Sequence, residues 1–289
     1  MPEKSTMQEA VGSIFARLGK MRQCDDCPIC GEPMYVFVNP ETGKDRSMPA
    51  CMACGHKEAR KDAPTNESES TNWQLKANKA DALGYMRHSS VITDPDVYNK
   101  KFSNFITRTK EQKEAKAVAK RVVDDMMTGE TVHAIFTGPT GTGKSHLAMA
   151  CLWEVLERSW FKQHVMFVDF RELLTKTKQG FHDDAAFKQY SQFVADEIQK
   201  ADVVVIDDLG SEAGDDVGSY QSSQYNMDVA TRIFQGRANK NTIVTTNRSG
   251  KELKKIYGSR VISRMSAHTQ NHVMLFEGMP DHRLEGMKA

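Results

Sequence analysis

The sequence has no apolar run approaching the roughly 18 residues that a membrane helix needs, and residues 1–20 lack the apolar core of a signal peptide. A cytoplasmic protein that neither spans a membrane nor is exported is the expectation. Net charge is also missing: Lys+Arg 39 against Asp+Glu 38 gives +1, which excludes a uniformly basic coat on nucleic acid while leaving a local basic face open. Cysteine is almost absent after residue 54, where only Cys151 remains, on a stretch that reads as a helix in which a small buried residue fits. No internal repeat or strong low-complexity segment interrupts the 289 residues, a length that suits one large domain or two ordinary ones.

The other five cysteines fall in the first 54 residues, and without an export signal they point to a metal rather than to disulfides. Four form two knuckles, Cys27-Pro28-Ile29-Cys30-Gly31 and Cys51-Met52-Ala53-Cys54-Gly55, with 20 residues between Cys30 and Cys51. Two Cys-x2-Cys pairs supply the four thiolates that tetrahedral Zn2+ prefers, and the glycine after each pair leaves a tight turn uncrowded. Tyr35–Val38 reads as a strand and Asn39–Gly43 as a turn, together a zinc-ribbon hairpin. Cys24 and His56 are spare donors, and Cys24-x2-Cys27 repeats the ligand spacing. Ahead of the ribbon, Met7, Val11, Ile14, Phe15 and Leu18 recur at helical spacing behind a capping-box signature, giving a short amphipathic helix.

Residues 56–70 are polar and read as a linker, followed by a helix over Thr71–His88 and another over Lys110–Met127 that Gly129 can close. Beyond Gly129 short apolar strands alternate with helices. The strands are expected at Val132–Phe136, Val165–Asp169, Val203–Asp207, Thr242–Thr246 and His272–Phe276. This is an α/β pattern: a parallel five-stranded sheet with helices on both faces, whose ligand site lies at the carboxyl ends of the strands. The expected domains are an N-terminal helix plus zinc ribbon at 1–60, a linker and helix at 61–100, and the α/β domain at 101–289.

The first of these strands runs into Gly138-Pro139-Thr140-Gly141-Thr142-Gly143-Lys144-Ser145, and His146 continues into a helix. G-x-x-x-x-G-K-[ST] between strand and helix is a phosphate-binding loop: backbone N–H groups and the helix N-terminus face the phosphates of ATP. Lys144 neutralises the β and γ phosphates and the Ser145 hydroxyl holds Mg2+. The strand 203–206 ends in Asp207 and Asp208; Asp207 suits metal coordination and Asp208 the polarising of an attacking water. That second acid makes hydrolysis a better expectation than binding alone. The strand 242–246 ends in Asn247, an amide able to position water at the γ-phosphate. Arg260 and Arg264 stand four apart on one helical face, the spacing of a solvated face or of an arginine finger for a neighbouring subunit's ATP.

These motifs, with Phe102-Ser103-Asn104-Phe105 upstream and Ile206-Asp207-Asp208-Leu209-Gly210-Ser211-Glu212 and Thr245-Thr246-Asn247-Arg248 downstream, resemble an AAA+ ATPase of the DnaC/DnaI helicase-loader type over residues 100–277. The resemblance implies a Walker B pair at Asp207 and Asp208, sensor 1 at Asn247, and a finger at Arg264 or Arg260. It further implies an ATP-controlled ring or spiral that binds single-stranded DNA and places a hexameric replicative helicase on it, in a bacterium or a phage-infected cell. Only about 25 residues follow Arg264, which suits the lidless loaders and leaves no sensor 2 arginine. Such loaders keep their helicase-binding element at the N-terminus, which makes the 7–18 helix and the ribbon the partner-binding candidates. A transposition-helper ATPase of the IstB kind shares nearly the same motifs, and a ribbon that reads nucleic acid with ATP as a switch is a third possibility.

Lys176, Lys178, Phe181 and Lys188 mix base and aromatic in the manner of single-strand contacts. The near-zero charge is assembled from opposed blocks: residues 100–121 carry 8 basic and 2 acidic side chains, 201–228 carry none and 7, and 232–264 carry 9 and 1. Acidic and basic faces of this kind suit a head-to-tail assembly.

Overall fold

The computed structural model describes residues 20–39, 42–57, 67–179, 196–214 and 224–280. The expected helix over residues 7–18 lies outside them. The chain divides into two compact units, Met1–Trp73 and Gln74–Ala289, and each is described by itself.

In the smaller unit three antiparallel strands, β1 (Lys20–Asp26), β2 (Pro33–Val38) and β3 (Ala50–Cys51), form one sheet in that order. Strand β2 alternates as expected for a sheet with one covered face, burying Met34 and Val36. Strand β1 is an addition to the expected hairpin. Its sequence Lys-Met-Arg-Gln-Cys-Asp-Asp has no apolar alternation to read, and it is held by pairing with β2 from Lys20↔Val38 to Asp26↔Pro33.

The larger unit is built on five strands, all parallel, in the order β5-β6-β7-β4-β8: β4 His133–Thr137, β5 Val165–Asp169, β6 Val203–Asp207, β7 Asn241–Thr246 and β8 Val273–Leu275. The central strands are apolar without interruption because helices cover both faces. On one face Ala134, Phe136, Val165, Phe167, Val203 and Val205 join a core with helices α2 (Lys110–Met127) and α3 (Lys144–Arg158). On the other, Ile135, Met166, Val168, Val204 and Ile206 pack with α4 (Phe170–Gln179), α5 (Gln224–Gly236) and α6 (Gly250–Met265). Helix α1 (Glu67–Ser89) contributes Ala82 and Met86 to the first core. It starts inside the stretch expected to be linker, where nothing apolar marks a helix.

Two local details position the site. Helix α2 is closed at its start by a capping box between Thr109 and Gln112. Helix α6 is broken at Gly258, whose φ of 80° and ψ of 166° are open to glycine alone, so Arg260 and Arg264 ride on a helical segment separate from Gly250–Tyr257.

Candidate nucleotide site and cysteine cluster

At the carboxyl ends of β4, β5, β6 and β7 lies a cavity of about 630 Å³, a volume within the usual range for small-molecule sites. Its floor is the loop between β4 and α3. Gly143 is the N-cap of α3 at φ 95°, and a Cβ there would fall 2.8 Å from the Phe105 ring, so only glycine fits. Gly138, at φ 146°, is similarly pressed against Phe276. Lys144 curls back to donate to the carbonyls of Gly138 at 2.8 Å and Pro139 at 2.6 Å, and Thr142 Oγ1 also donates to Pro139 at 2.8 Å. The loop is thus pre-shaped around its own lysine. Thr140, Gly141, Gly143, Lys144, Ser145 and His146 all line the cavity.

Asp207, Asp208 and Asp169 stand opposite that loop. Burial pushes the Asp207 carboxyl up to about 6, with hydrogen bonds from Thr245 and Ser145 opposing the rise and the charges of Asp208 and Asp169 adding to it. Thr245 Oγ1 donates to Asp207 Oδ1 at 2.6 Å and accepts from the Asp208 backbone N–H at 2.9 Å, so one hydroxyl sets both acids. Asp208 itself sits at φ 55°, a left-handed conformation that costs a non-glycine residue of order 1 kcal/mol and is tolerated where the surroundings impose it. Three carboxylates facing a lysine and a helix N-terminus form a site for a polyanion bridged by a divalent cation.

The remaining wall comes from residues 91–106. Val91 pairs in parallel with Val168, and Thr93 Oγ1 donates to Asp169 Oδ2 at 2.6 Å, which ties one end of this segment to β5. At the other end His146 Nε2 lies 3.0 Å from both the Lys101 carbonyl and Asn104 Oδ1, and its ring meets Phe105 edge-on at 5.1 Å. The sequence stretch Phe102-Ser103-Asn104-Phe105 therefore serves to lock this wall to the start of α3.

Asn247 is exposed at the end of β7 and is not among the residues lining the cavity. Thr245, two residues earlier, faces the acids; a threonine in an apolar strand carries no signal of that role. Arg260 is exposed and Arg264 half-buried, with its Nη1 enclosed and without a hydrogen-bond partner; neither lines the cavity. Lys176 and Lys178 lie on α4, Lys176 beside Glu172 at 3.6 Å and Lys178 exposed, while Phe181 and Lys188 lie outside the described residues.

In the smaller unit the Sγ atoms of Cys27, Cys30, Cys51 and Cys54 all lie within 4.8 Å of one another, with Cys27–Cys54 and Cys30–Cys51 at 3.5 Å. Zn–S bonds of about 2.3 Å in a tetrahedron put sulfurs about 3.8 Å apart, so this donor set fits zinc. Each knuckle closes alike: Gly31 N–H donates to Cys27 O at 2.9 Å, Gly55 N–H to Cys51 O at 3.1 Å, and both glycines have φ near 75°. Backbone N–H groups of Cys54 and Ala53 hold the Cys51 thiol down to about 7. Cys24 packs against the cluster without joining it, and the His56 ring is not part of it.

Residues 98–267, more than half of the chain, match the family model for IstB-like ATP binding protein. The chain belongs to that family. The match takes in the cavity's floor, its acids and the Arg260/Arg264 segment. Within this family setting, the chain is 26% identical over 169 residues to the replicative helicase loader DnaC of Escherichia coli K12, covering 58% of this chain and 63% of the relative. The chain therefore spans under two thirds of the length of that curated relative. It is similarly 26% identical over 167 residues to the uncharacterized protein YdaV of the same strain, covering 57% of this chain and 61% of the relative. Among solved structures, a DnaC helicase loader superposes with a TM-score of 0.50 at 21% identity, covering 63% of this chain and 99% of that one. A putative primosome component from Streptococcus pyogenes gives 0.51 at 19%, covering 66% and 93%. These structures share the parallel five-stranded fold with this member of the IstB-like family. Among the described residues no helix is long and apolar enough to cross a membrane.

Proposed function

We propose that this IstB-like protein hydrolyses ATP at subunit interfaces and uses it to load a hexameric replicative helicase onto single-stranded DNA. The observation that carries the reading is the placement of Asp207 and Asp208, set by Thr245, across one cavity from Lys144 and Ser145. The phosphate loop, Gly138 to His146, would hold the triphosphate, with Ser145 and Asp207 as the Mg2+ residues. Mg2+ would supply charge neutralisation between the phosphates. Asp208 would take the proton of the attacking water, and Lys144 would offset charge on the transferred phosphoryl group. Asn247, exposed at the strand tip, would act on the water only after a local rearrangement of the 247–249 turn. Arg260 and Arg264 are outside their own cavity, so they would serve a neighbouring copy; Arg260 is exposed and would reach such a phosphate directly, whereas the enclosed Nη1 of Arg264 would first have to turn outward.

The DnaC relative, a replicative helicase loader, supports the choice of partner. Zn2+ on Cys27, Cys30, Cys51 and Cys54 would hold the ribbon, which with the 7–18 segment would bind the helicase. Single-stranded DNA would contact the 176–188 segment. A transposition helper is the second reading, favoured by the IstB-like family model itself. Asp208→Asn should cut ATP turnover by about 100-fold or more while ATP still binds; unchanged turnover sinks the catalytic assignment. Affinity capture with the full chain decides the partner: a replicative helicase, lost on deleting residues 1–60, supports loading, and a transposase overturns it.

A further inference from the structure

Between the acids of β6 and the arginines of α6 runs a polar connection that ATP binding does not itself require. Past Asp208 the chain turns through Leu209 and Gly210 and makes a short helical turn at Ser211–Ala213. Leu209 is buried with Leu253, Ile256 and Tyr257 of α6. Gly210 adopts φ 94°, and a Cβ on it would lie 3.0 Å from Arg248 Cγ and 3.1 Å from Leu253 Cδ2, so this turn is pressed onto α6 with no room for a side chain. Within the contact Glu212 is gripped from two sides: the Gly210 N–H donates to Oε2 at 3.1 Å, and the buried Tyr257 hydroxyl donates to Oε1. Burial pushes the Glu212 carboxyl up, and the Asp208 charge pushes it further in the same direction. Keeping an acid there costs stability that an apolar residue would not, which calls for a reason beyond packing.

The position of Tyr257 supplies that reason. It is the last residue before Gly258, the break in α6, and the segment after the break carries Arg260 and Arg264. The residue whose hydroxyl is pinned to the loop after the acid pair is therefore the one whose backbone enters the hinge of the arginine segment. Leu209 and Gly210 supply the packing, and Glu212 to Tyr257 supplies the direction. We propose that the Glu212–Tyr257 hydrogen bond positions Arg260 and Arg264 for the neighbouring copy, so that the loop after Asp208 in one subunit governs arginine presentation to the next subunit's nucleotide. Glu212 and Tyr257 are positioning residues, acting through the arginines. This rests on the reading that hydrolysis takes place between subunits.

Mixed assemblies test it. A chain with Asp208→Asn is dead at its own site but can donate arginines; a chain with Arg260→Ala and Arg264→Ala has an intact site but no arginines to donate. Mixing the two should restore turnover at their shared interfaces. Adding Tyr257→Phe to the Asp208→Asn donor should lower that restored turnover by about tenfold, because removing one hydroxyl leaves the ring packed but unlinks the hinge. Adding Glu212→Gln, whose amide oxygen can accept from the Gly210 N–H while its Nε2–H donates to the Tyr257 hydroxyl oxygen, should lower it by less than about threefold. ATP affinity of each donor, read with a fluorescent ATP analogue, should stay within about twofold, which separates the link from a folding defect. Full complementation by the Tyr257→Phe donor overturns the proposal, since that donor's own site contributes nothing. Failure of the plain Asp208→Asn donor overturns the inter-subunit reading instead, and the two failures are told apart by that control.

Discussion

In the smaller unit the buried apolar cluster consists of Cys27, Met34 and Cys51 with Cys24 against it, whereas the larger unit closes one apolar core on each face of a five-stranded sheet. Three short strands with one covered face bury too little to offset the chain entropy of ordering them. Two of the three cluster residues are the knuckle cysteines Cys27 and Cys51, so the thiol cluster and this small core share residues. In the larger unit the division of labour is reversed. Phe136, Leu147, Met149 and Leu152 carry the stability at essentially zero exposure, and that leaves the rim free to hold strained and charged residues such as Asp208 and Asp207.

The largest test of this contrast is metal removal. Chelation, or Cys27→Ser, should unfold the smaller unit outright, since structural zinc contributes roughly 10 kcal/mol or more to such modules. NMR of the full chain should show collapse of the β1–β3 amides with the β4–β8 amides unmoved; loss of both would show that the units do not stabilise separately. A core cavity comes next. Leu152→Ala should cost the larger unit about 2 to 5 kcal/mol, seen as a lower denaturant midpoint with metal content unchanged.

The smallest effect is the most local. Asp207 is raised above its usual value to about 6, so its carboxylate becomes protonated as pH falls through 6, and an Mg2+ ion held as proposed would lose a ligand. The half-saturating Mg2+ concentration for turnover should rise by about tenfold per pH unit below 6. For the metal-free chain the sign is opposite: a raised carboxyl contributes stability that is complete below about 4 and is lost as pH rises through 6. A flat Mg2+ requirement between pH 5 and 7 would remove Asp207 from the metal.

The range of each interaction decides how much of the fold and of the site the sequence shows. Strands β5 and β6 and helix α2 begin and end where their apolar periods and caps place them, because those signals are local. Strand β4 is displaced by one residue at both ends, β7 starts one residue early, and β8 is shorter at both ends, its exposed residues following a pairing with β4 rather than any pattern of their own. The acids and the phosphate loop are legible because spacing alone brings them to strand ends.

Arg237 shows the limit. Counted in the sequence as part of a basic face, it is wholly buried, donating to the carbonyls of Ile198, Ala201, Asp202 and Asn241 and to the Thr242 hydroxyl. Burial lowers its guanidinium to about 9, and with the buried Arg248 it is withdrawn from the exposed charge of residues 232–264. Nothing in a string of letters separates such an arginine from an exposed one.

The sequence by itself determined the two Cys-x2-Cys knuckles, the phosphate loop, the Asp207-Asp208 strand end and the α/β alternation, since each is a matter of residue type at short spacing. Tertiary structure alone decided that Cys24 stays outside the thiol cluster, that Thr245 rather than Asn247 faces the acids, and that Glu212 meets Tyr257 from 45 residues away. Those choices depend on which side chains the sheet order and the helix packing bring within hydrogen-bond reach, and contacts so distant along the chain leave no period or motif behind.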